Sequence, residues 1–138
     1  MPTTVNCDLR RLRACDLMCK TLQWATAQEN LRAAARRMAE HGIRALLVTG
    51  DDASDLPGIL TSKDIVNLLG TQDVAVLDAL RVGDVMTRPA ICVPKQANVL
   101  DCLNLMRTTG VRRVPVLDGT AVVGILSTSD VFERVLRD

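Results

Sequence analysis

Apolar and polar positions in the first half of the chain follow two different periods. Between residues 28 and 41 apolar side chains recur every three or four positions, which predicts an amphipathic helix ending at Gly42. The apolar runs 43–49 and 57–60 predict two short buried strands. A further helix is expected over about 61–69, so this half predicts two helices and two strands.

The second half of the chain shows the same order of elements. Residues 97–108 have the helical period, and the β-rich runs 111–117 and 121–126 predict two strands joined by a tight Asp-Gly turn. A last helix is expected over about 128–136. The two halves therefore predict similar local structures.

The sequence itself confirms that the two halves are copies. Residues 12–50 align with residues 80–118 at an offset of 68, and the alignment resumes at an offset of 66, where 58–64 meets 124–130. Such self-similarity defines the structural unit. The identical pairs at the first offset include Leu12/Leu80, Arg13/Arg81, Asp16/Asp84, Met18/Met86, Gln28/Gln96, Asn30/Asn98, Met38/Met106, Gly42/Gly110, Arg44/Arg112 and Val48/Val116.

Each copy is predicted to have the order strand–helix–strand–strand–helix, counting a short leading strand near 22–25 or 91–93. The predicted fold class is therefore α/β in the broad sense of mixed helices and strands, and more narrowly α+β. A copy of about 60 residues is marginal alone, so we expect the two to pack as one compact pair. The predicted segments are an N-terminal arm at 1–11, a first repeat at 12–70, a connector at 71–79 and a second repeat at 80–138.

Composition excludes several classes of partner. The 138 residues include 17 basic and 16 acidic side chains, and this balance gives no global attraction to nucleic acid or membranes. One Trp, one Phe and no Tyr are too few for a module that stacks bases on aromatic rings. No apolar run is long enough to span a membrane, and no secretion signal is visible. With five irregularly spaced cysteines, we expect a cytoplasmic protein.

Candidate chemistry for catalysis or metal binding is sparse. The chain has one histidine and none of the common nucleophile, phosphate-loop or dinucleotide motifs, so we expect no enzyme. Clustered carboxylates occur in the polar turn 50–55, where solvation is the simplest interpretation. Cys15 and Cys19, with Cys7 and His41, are a weak match to a zinc site, and buried thiols are favoured instead.

The repeated motifs resemble those of CBS domains, named after cystathionine β-synthase. The order is Asp-h-Met, a helix, Gly-h-Arg, h-Pro-Val and then Gly-Ile-Leu-[Ser/Thr]-x-x-Asp, where h is an apolar residue. The resemblance covers about residues 12–136. The first copy departs from the pattern at Leu47, where the second has Pro115. The matching segments are 16–18, 42–48 and 58–64 in the first copy, and 84–86, 110–116 and 124–130 in the second.

The resemblance implies a regulatory module with no catalytic activity of its own. Two CBS repeats pack sheet to sheet by pseudo-twofold symmetry and leave two clefts. Members of the family often bind adenosine nucleotides there, such as AMP, ADP, ATP, NAD or S-adenosylmethionine, with AMP or ATP the ligand expected first. A homodimer and an unidentified effector protein are the implied partners, and no catalytic cofactor or metal is expected.

Two interpretations are open for the motif that closes each copy. A carboxylate accepts two hydrogen bonds, so Asp64 and Asp130 suit the paired hydroxyls of a ribose. The resemblance places the hydroxyls of Thr61 and Ser127 nearer the phosphates. The same spacings are those of a helix capping box, in which the hydroxyl and the carboxylate bind backbone amides. The two roles are compatible, because a capped helix N-terminus also attracts anions.

The remaining candidate residues flank these motifs. The arginines that follow each helix-ending glycine (Arg44, Arg112 and Arg113) either bind phosphate or are solvated charges. Arg113 has Ala45 as its counterpart in the first copy, so the two clefts are expected to differ. By family geometry, 84–90 and Val111 join the cleft with Asp64, and 16–22 and Ile43 join the one with Asp130. Asp16 and Asp84 also suit caps of short helical turns. The nucleotide-binding candidates are Asp64, Thr61, Asp130, Ser127, Arg44, Arg112, Arg113, Ile43, Val111, Asp16, Asp84 and Pro89.

A second hypothesis is that the pair has lost its ligand and serves as a dimerisation or docking module. Leu47 and Ala45, which depart from the second copy, favour it.

Overall fold

A computed structural model of the protein describes residues 8–50 and 55–137, which form a mixed α+β fold. The helices are α1 (Ala14–Leu17), α2 (Leu31–His41), α3 (Ser62–Leu69), α4 (Val76–Ala79), α5 (Val82–Val85), α6 (Val99–Thr109) and α7 (Thr128–Arg137). The strands are β1 (Trp24–Ala25), β2 (Ala45–Val48), β3 (Gly58–Thr61), β4 (Val93–Pro94), β5 (Arg113–Asp118) and β6 (Ala121–Ser127).

The strands form two sheets of the same design. In the order β1-β2-β3, β1 is parallel to β2, and β2 is antiparallel to β3. The order β4-β5-β6 repeats these directions. The Asp-Gly turn joins β5 to β6 as predicted, with Asp118 opposite Ala121. Gly119 in that turn has a φ of 64°, a left-handed backbone conformation that residues with a side chain rarely adopt.

The chain divides into two compact units, each of which combines segments from both sequence repeats. The central unit comprises residues 22–90. The C-terminal unit comprises 91–137 together with the N-terminal segment up to Thr21. Residues 12–21 of the first repeat thus belong with the sheet of the second, and 80–90 of the second belong with the sheet of the first. We call 12–21 and 80–90 the exchanged segments.

Each unit has its own apolar core between its sheet and its helices. In the central unit the core is formed by α2, one face of β2 and β3, and side chains from 77 and 82. In the C-terminal unit α6, β5, β6 and α7 contribute, and Ala14 of the exchanged segment is fully buried there. Met38 and Met106, an identical pair of the two repeats, are buried at equivalent places in the two cores.

The main helices lie within three residues of their predicted bounds. They begin later than the apolar period suggests, because Asn30 and Asn98 act as N-caps through side-chain oxygens, the first accepting from Ala33 N at 3.1 Å. Both end as predicted, at left-handed glycines Gly42 and Gly110. Of the expected N-terminal arm, residues 1–7 lie outside the described residues, as does most of the polar turn 50–55.

The departure of the first copy at Leu47 strengthens its sheet. Leu47 and Pro115 occupy equivalent central-strand positions, and both are buried. The Leu47 N–H donates to Gln23 O at 2.9 Å, a bond to the leading strand that a proline has no hydrogen to make. Leu47 therefore gives no structural sign of a degenerate copy.

Candidate functional site

The motif that ends each copy joins a strand directly to a helix through a closed capping box. At the β3–α3 junction the Thr61 N–H donates to Asp64 Oδ2 at 2.8 Å, and the Asp64 N–H donates to Thr61 Oγ1 at 3.2 Å. At the β6–α7 junction the Ser127 N–H donates to Asp130 Oδ2 at 3.0 Å, and the Asp130 N–H donates to Ser127 Oγ at 3.1 Å. The capping interpretation is therefore confirmed at both places.

Capping uses only part of each carboxylate. The second oxygen, Oδ1, of Asp64 and of Asp130 accepts no hydrogen bond from any residue that the structure describes. Both aspartates are half-buried, and each stands in the first turn of a helix of at least eight residues. Each junction thus keeps one acceptor oxygen beside a positive helix end.

An exchanged segment lies along the strand that leads into each junction. In the central unit Thr87 and Ile59 exchange two backbone hydrogen bonds, each of 2.9 Å. In the C-terminal unit the Cys19 N–H donates to Ile125 O at 2.8 Å, and the Ile125 N–H donates to Cys19 O at 3.0 Å. The segments 84–90 and 16–21 therefore lie in the same units as Asp64 and Asp130. Leu22, the last residue of the expected segment 16–22, belongs to the central unit instead.

Asp16 and Asp84 hold the beginning of these exchanged segments in place. Asp16 Oδ2 accepts from Arg13 N at 2.8 Å at the start of α1, and Asp84 Oδ2 accepts from Arg81 N at 2.9 Å at the start of α5. Both carboxylates are exposed. Pro89 is also exposed, and a cis peptide bond joins it to Arg88.

Each candidate arginine lies beside the strand–helix junction of its own unit. Arg113 pairs in register with Ser127, and it lies on the face of β5 opposite to the core residues Val114 and Val116. Arg112 is exposed beside α6, and its carbonyl accepts from Thr128 N at 3.0 Å. The Arg44 carbonyl accepts in the same way from Ser62 N, at 2.9 Å.

The two junctions consequently differ in charge on the strand face. Ala45 is the register partner of Thr61, as Arg113 is of Ser127. The strand position paired with Ser127 therefore carries an arginine, where the position paired with Thr61 carries an alanine.

The two apolar candidates contact their own cores. Ile43 packs against the core of the central unit, and Val111 packs against that of the C-terminal unit. Val111 also lines a groove of about 560 Å³ between α6 and the start of α7. Arg112 and Thr128 line the same groove, which the sequence analysis did not identify.

The cysteines show no metal centre among the residues the structure describes. No three His, Cys, Asp or Glu side chains lie close enough to hold a metal ion there. Of the thiols expected to be buried, that of Cys15 is half-buried, and the expectation is wrong for Cys19, which is exposed at the edge of β6. Cys102 is buried. Burial raises the pKa of the Cys92 and Cys102 thiols, so both are protonated at neutral pH. Cys7 lies outside the described residues.

Comparison with known proteins identifies the family. A sequence model of the CBS domain matches residues 14–71 and 82–137. The chain belongs to the CBS-domain family. CBS-domain proteins of this kind are typically regulatory modules and not catalysts, and some bind AMP. Within the described ranges no helix is long and apolar enough to cross a bilayer.

Related sequences and structures extend over most of the chain. Hypoxic response protein 1 of Mycobacterium tuberculosis is 35% identical over 120 residues, which cover 87% of this chain and 82% of that protein. YlbB of Bacillus subtilis is 31% identical over 117 residues, covering 83% and 76%.

Solved structures share the fold. A putative signal-transduction protein with CBS domains from Burkholderia ambifaria has a TM-score of 0.75 and 32% identity, covering 86% of this chain and 85% of that one. CBSX2, solved in complex with AMP, has a TM-score of 0.74 and 24% identity, covering 91% and 96%.

Proposed function

We propose that this chain is a cytoplasmic regulatory module that binds an adenosine nucleotide, AMP or ATP, and signals its level to an effector protein. The observation that carries the proposal is the Oδ1 oxygen of Asp64 and of Asp130, which lies beside the N-terminus of a helix and accepts no hydrogen bond from the residues that the structure describes. Ribose hydroxyls donate to such a carboxylate, and the helix end attracts the phosphate. CBSX2, which shares the fold, was solved with AMP and supports the choice of ligand.

Of the two junctions, we propose that Ser127–Asp130 takes the phosphorylated ligand. Arg113 is the register partner of Ser127, and a guanidinium offers a phosphate forked donors. The junction at Thr61–Asp64 has Ala45 at that position and lacks this charge. Residues 16–21 of the exchanged segment 12–21 would border the nucleotide in the C-terminal unit. Arg113→Ala should therefore weaken binding of ATP more than binding of adenosine.

Binding is tested by calorimetry and thermal unfolding of nucleotide-free protein with AMP, ADP, ATP, NAD and S-adenosylmethionine, and with GTP as the off-class control. A ligand at 100 times its Kd should add about 2.7 kcal/mol of stability. Asp130→Asn should lose the stabilisation by ligand, because asparagine has a single side-chain oxygen and the helix cap requires it. Asp64→Asn is the matched variant, and it should retain the high-affinity response. Loss with Asp64→Asn alone would move the site to the central unit.

A ligand-free docking module is the second candidate. Both capping boxes are complete without a ligand, which favours it. In that case Asp130→Ala would cost about 0.5–2 kcal/mol of stability and change no ligand response. The absence of any response to the whole panel would exclude the sensor and support this function.

We further propose that the module acts as a homodimer. Exposed apolar side chains lie on the last helix of each sequence repeat, at Val66 and Leu69 in α3 and at Phe132 and Leu136 in α7. Apolar side chains grouped on a helix are a feature of protein interfaces. The mass of the nucleotide-free protein by sedimentation should be twice the chain mass of 15.0 kDa.

A further inference from the structure

The strand β6 is longer than its counterpart in the other sheet. It has seven residues, whereas β3 has four. The additional residues 121–123 come directly after the Asp-Gly turn. Ala121 is exposed, and Val122 and Val123 are half-buried. The C-terminal unit therefore has a stretch of strand to which nothing corresponds in the described part of β3.

The backbone polar groups of Val122 point away from β5. Val122 is the register partner of Leu117. The Leu117 carbonyl accepts from Lys95 N at 2.8 Å, and Lys95 directly follows β4. Since Leu117 uses its carbonyl on the β4 side, Leu117 and Val122 form a pair of the non-hydrogen-bonded kind, in which both residues turn their N–H and C=O groups outward. Val122 thus presents one donor and one acceptor at the outer edge of β6.

The exchanged segment 12–21 pairs with this edge only as far as Ile125, the partner of Cys19. Among the described residues, no backbone group hydrogen-bonds with the outer side of 121–123, which we call the open edge. In the central unit the corresponding pairing continues further, because the Ala90 N–H donates to Pro57 O at 2.9 Å. The open edge is therefore a feature of the C-terminal unit.

A positive charge stands next to the open edge. Lys20 comes directly after the last paired residue of the exchanged segment, so the antiparallel register places it level with Gly124, about 7 Å along β6 from Val122. Its ammonium group is exposed and pairs with none of the residues that the structure describes. Its counterpart Arg88 instead donates to Thr49 O at 2.7 Å. The open edge and an available cation thus occur together.

We propose that the open edge receives an extended segment of the effector protein, which adds to the sheet as a strand through the backbone of Val122 and places a carboxylate against Lys20. Strand addition takes its affinity from main-chain hydrogen bonds and its specificity from the side chains beside the edge. The partner that fits is a β-branched segment with an acidic residue at the end nearest Lys20. This inference rests on the proposed function for the existence of an effector, and it does not require bound nucleotide.

A phage-displayed library of random nonapeptides, panned on the full-length protein without nucleotide, supplies the probe. The enriched peptides should be rich in Val, Ile and Thr and carry Asp or Glu near one end. The most enriched peptide, made synthetically, should bind with a Kd below about 100 µM by calorimetry. It should also slow hydrogen exchange at the Val122 amide. A library that yields no enriched sequence would overturn the proposal.

Val122→Pro tests the backbone contact, with Leu56→Pro as the matched control. Proline at position 122 removes the outward N–H and leaves the bonds to β5 in place. Leu56 is the counterpart of Val122 at the offset of 66, and it is 42% exposed. Val122→Pro should raise the Kd of the selected peptide about tenfold or more, and Leu56→Pro should leave it within about threefold. Circular dichroism checks that both variants are folded.

Charge reversal tests the second contact without a change to the strand. Lys20→Glu should weaken binding of the acidic peptide about tenfold, and lysine in place of the acidic residue of the peptide should recover most of that loss. Unchanged affinity in Lys20→Glu, or full affinity in a folded Val122→Pro variant, contradicts the proposal.

Thermal unfolding with the nucleotide panel separates this inference from the nucleotide site. A nucleotide response in a protein that selects no peptide supports the site and excludes the docking edge. Peptide binding in a protein without any nucleotide response supports the docking edge alone. Loss of self-association in Val122→Pro, measured by sedimentation, would show that a second copy of the chain occupies the edge and would overturn the choice of partner.

Discussion

At the scale of single residues, Gly124 determines how closely an exchanged segment approaches β6. A Cβ at Gly124 would lie 2.6 Å from Met18 Cγ, closer than atoms can approach, and 3.0 Å from Cys19 O, tighter than an ordinary contact. Its counterpart Gly58 leaves more room, since a Cβ there would lie 3.1 Å from Met86 Sδ and 3.3 Å from Thr87 O.

We therefore predict that Gly124→Ala destabilises the protein by about 1–3 kcal/mol, and that Gly58→Ala costs less. Urea unfolding of the two variants measures the difference. Adding Met18→Ala to Gly124→Ala should cost less than the sum of the two single effects, because the overlap with the Met18 side chain is then relieved. Equal losses of stability for Gly124→Ala and Gly58→Ala would show that the exchanged segment moves away from β6 to make room for the methyl group, and would contradict the prediction.

Arg112 and Arg113 are neighbours in the sequence but have different local structures. Arg112 precedes β5 and its carbonyl accepts from Thr128 N, whereas Arg113 begins β5 as the register partner of Ser127. Their shared charge gave no sign of this difference in the sequence. The Thr61 and Ser127 motifs, in contrast, were recognisable because capping depends on local spacing.

At the scale of elements, α2 and α4 are joined by an ion pair that makes stability depend on pH. Arg32 Nε donates to Asp78 Oδ1 at 2.6 Å. This hydrogen bond lowers the pKa of Asp78 below its usual value of 3.8. A carboxyl group with a lowered pKa stabilises the fold above its unfolded pKa, and the contribution is lost as the pH falls through the folded pKa.

We predict that Asp78→Asn removes this pH-dependent contribution. The free energy of unfolding of the variant should therefore fall less steeply than that of the wild type below about pH 4. Urea midpoints measured between neutral pH and the acid range test this. The effect is small because the pair is exposed and salt reduces it. Arg32→Gln should give the same flattening, and unchanged steepness in both variants would contradict the role of the pair.

Long helices were predicted more reliably than short ones. The apolar period identified α2 and α6 because each runs for 11 residues. The helices α1, α4 and α5 have four residues each, too few for a period to be recognised. Of these, α4 lies within the predicted connector, and α1 and α5 begin the exchanged segments.

At the scale of the whole molecule, the exchanged segments make each unit depend on residues distant in sequence. Ala14 is fully buried in the core of the C-terminal unit, although it lies in the first sequence repeat. The Cys19–Ile125 hydrogen bonds add an edge to β6. Both contacts stabilise the C-terminal unit and neither contributes to the central core.

We predict that deleting residues 1–21 exposes amide hydrogens in 91–137 to exchange, while the core of 22–90 keeps more of its protection. Hydrogen exchange followed by mass spectrometry resolves the two ranges, and fluorescence of Trp24 reports on the central unit independently. Ala14→Asp should give the same pattern in a chain of unchanged length. Loss of protection confined to 22–90 would contradict the observed division.

The duplication and the element order were predictable from the sequence, but the division into units was not. Similarity between copies defines where each repeat begins, at Leu12 and Leu80, and says nothing about which sheet a segment joins. That choice depends on tertiary contacts such as those of Ala14. The grouping of 84–90 with Asp64 came from the family resemblance, and the groove beside α6 depends on packing that no local pattern encodes.

The exchanged segments also bear on how such a chain arises by gene duplication. The segment that is repeated in the sequence, about 12–70, is not one of the two compact units. It lacks the segment that pairs with its own strand at 58–61, and it carries the segment that pairs with the equivalent strand of the other repeat. A chain with a single repeat would complete its sheet by exchanging segments with a second chain, and fusion of two such genes would convert that contact between chains into a contact within one.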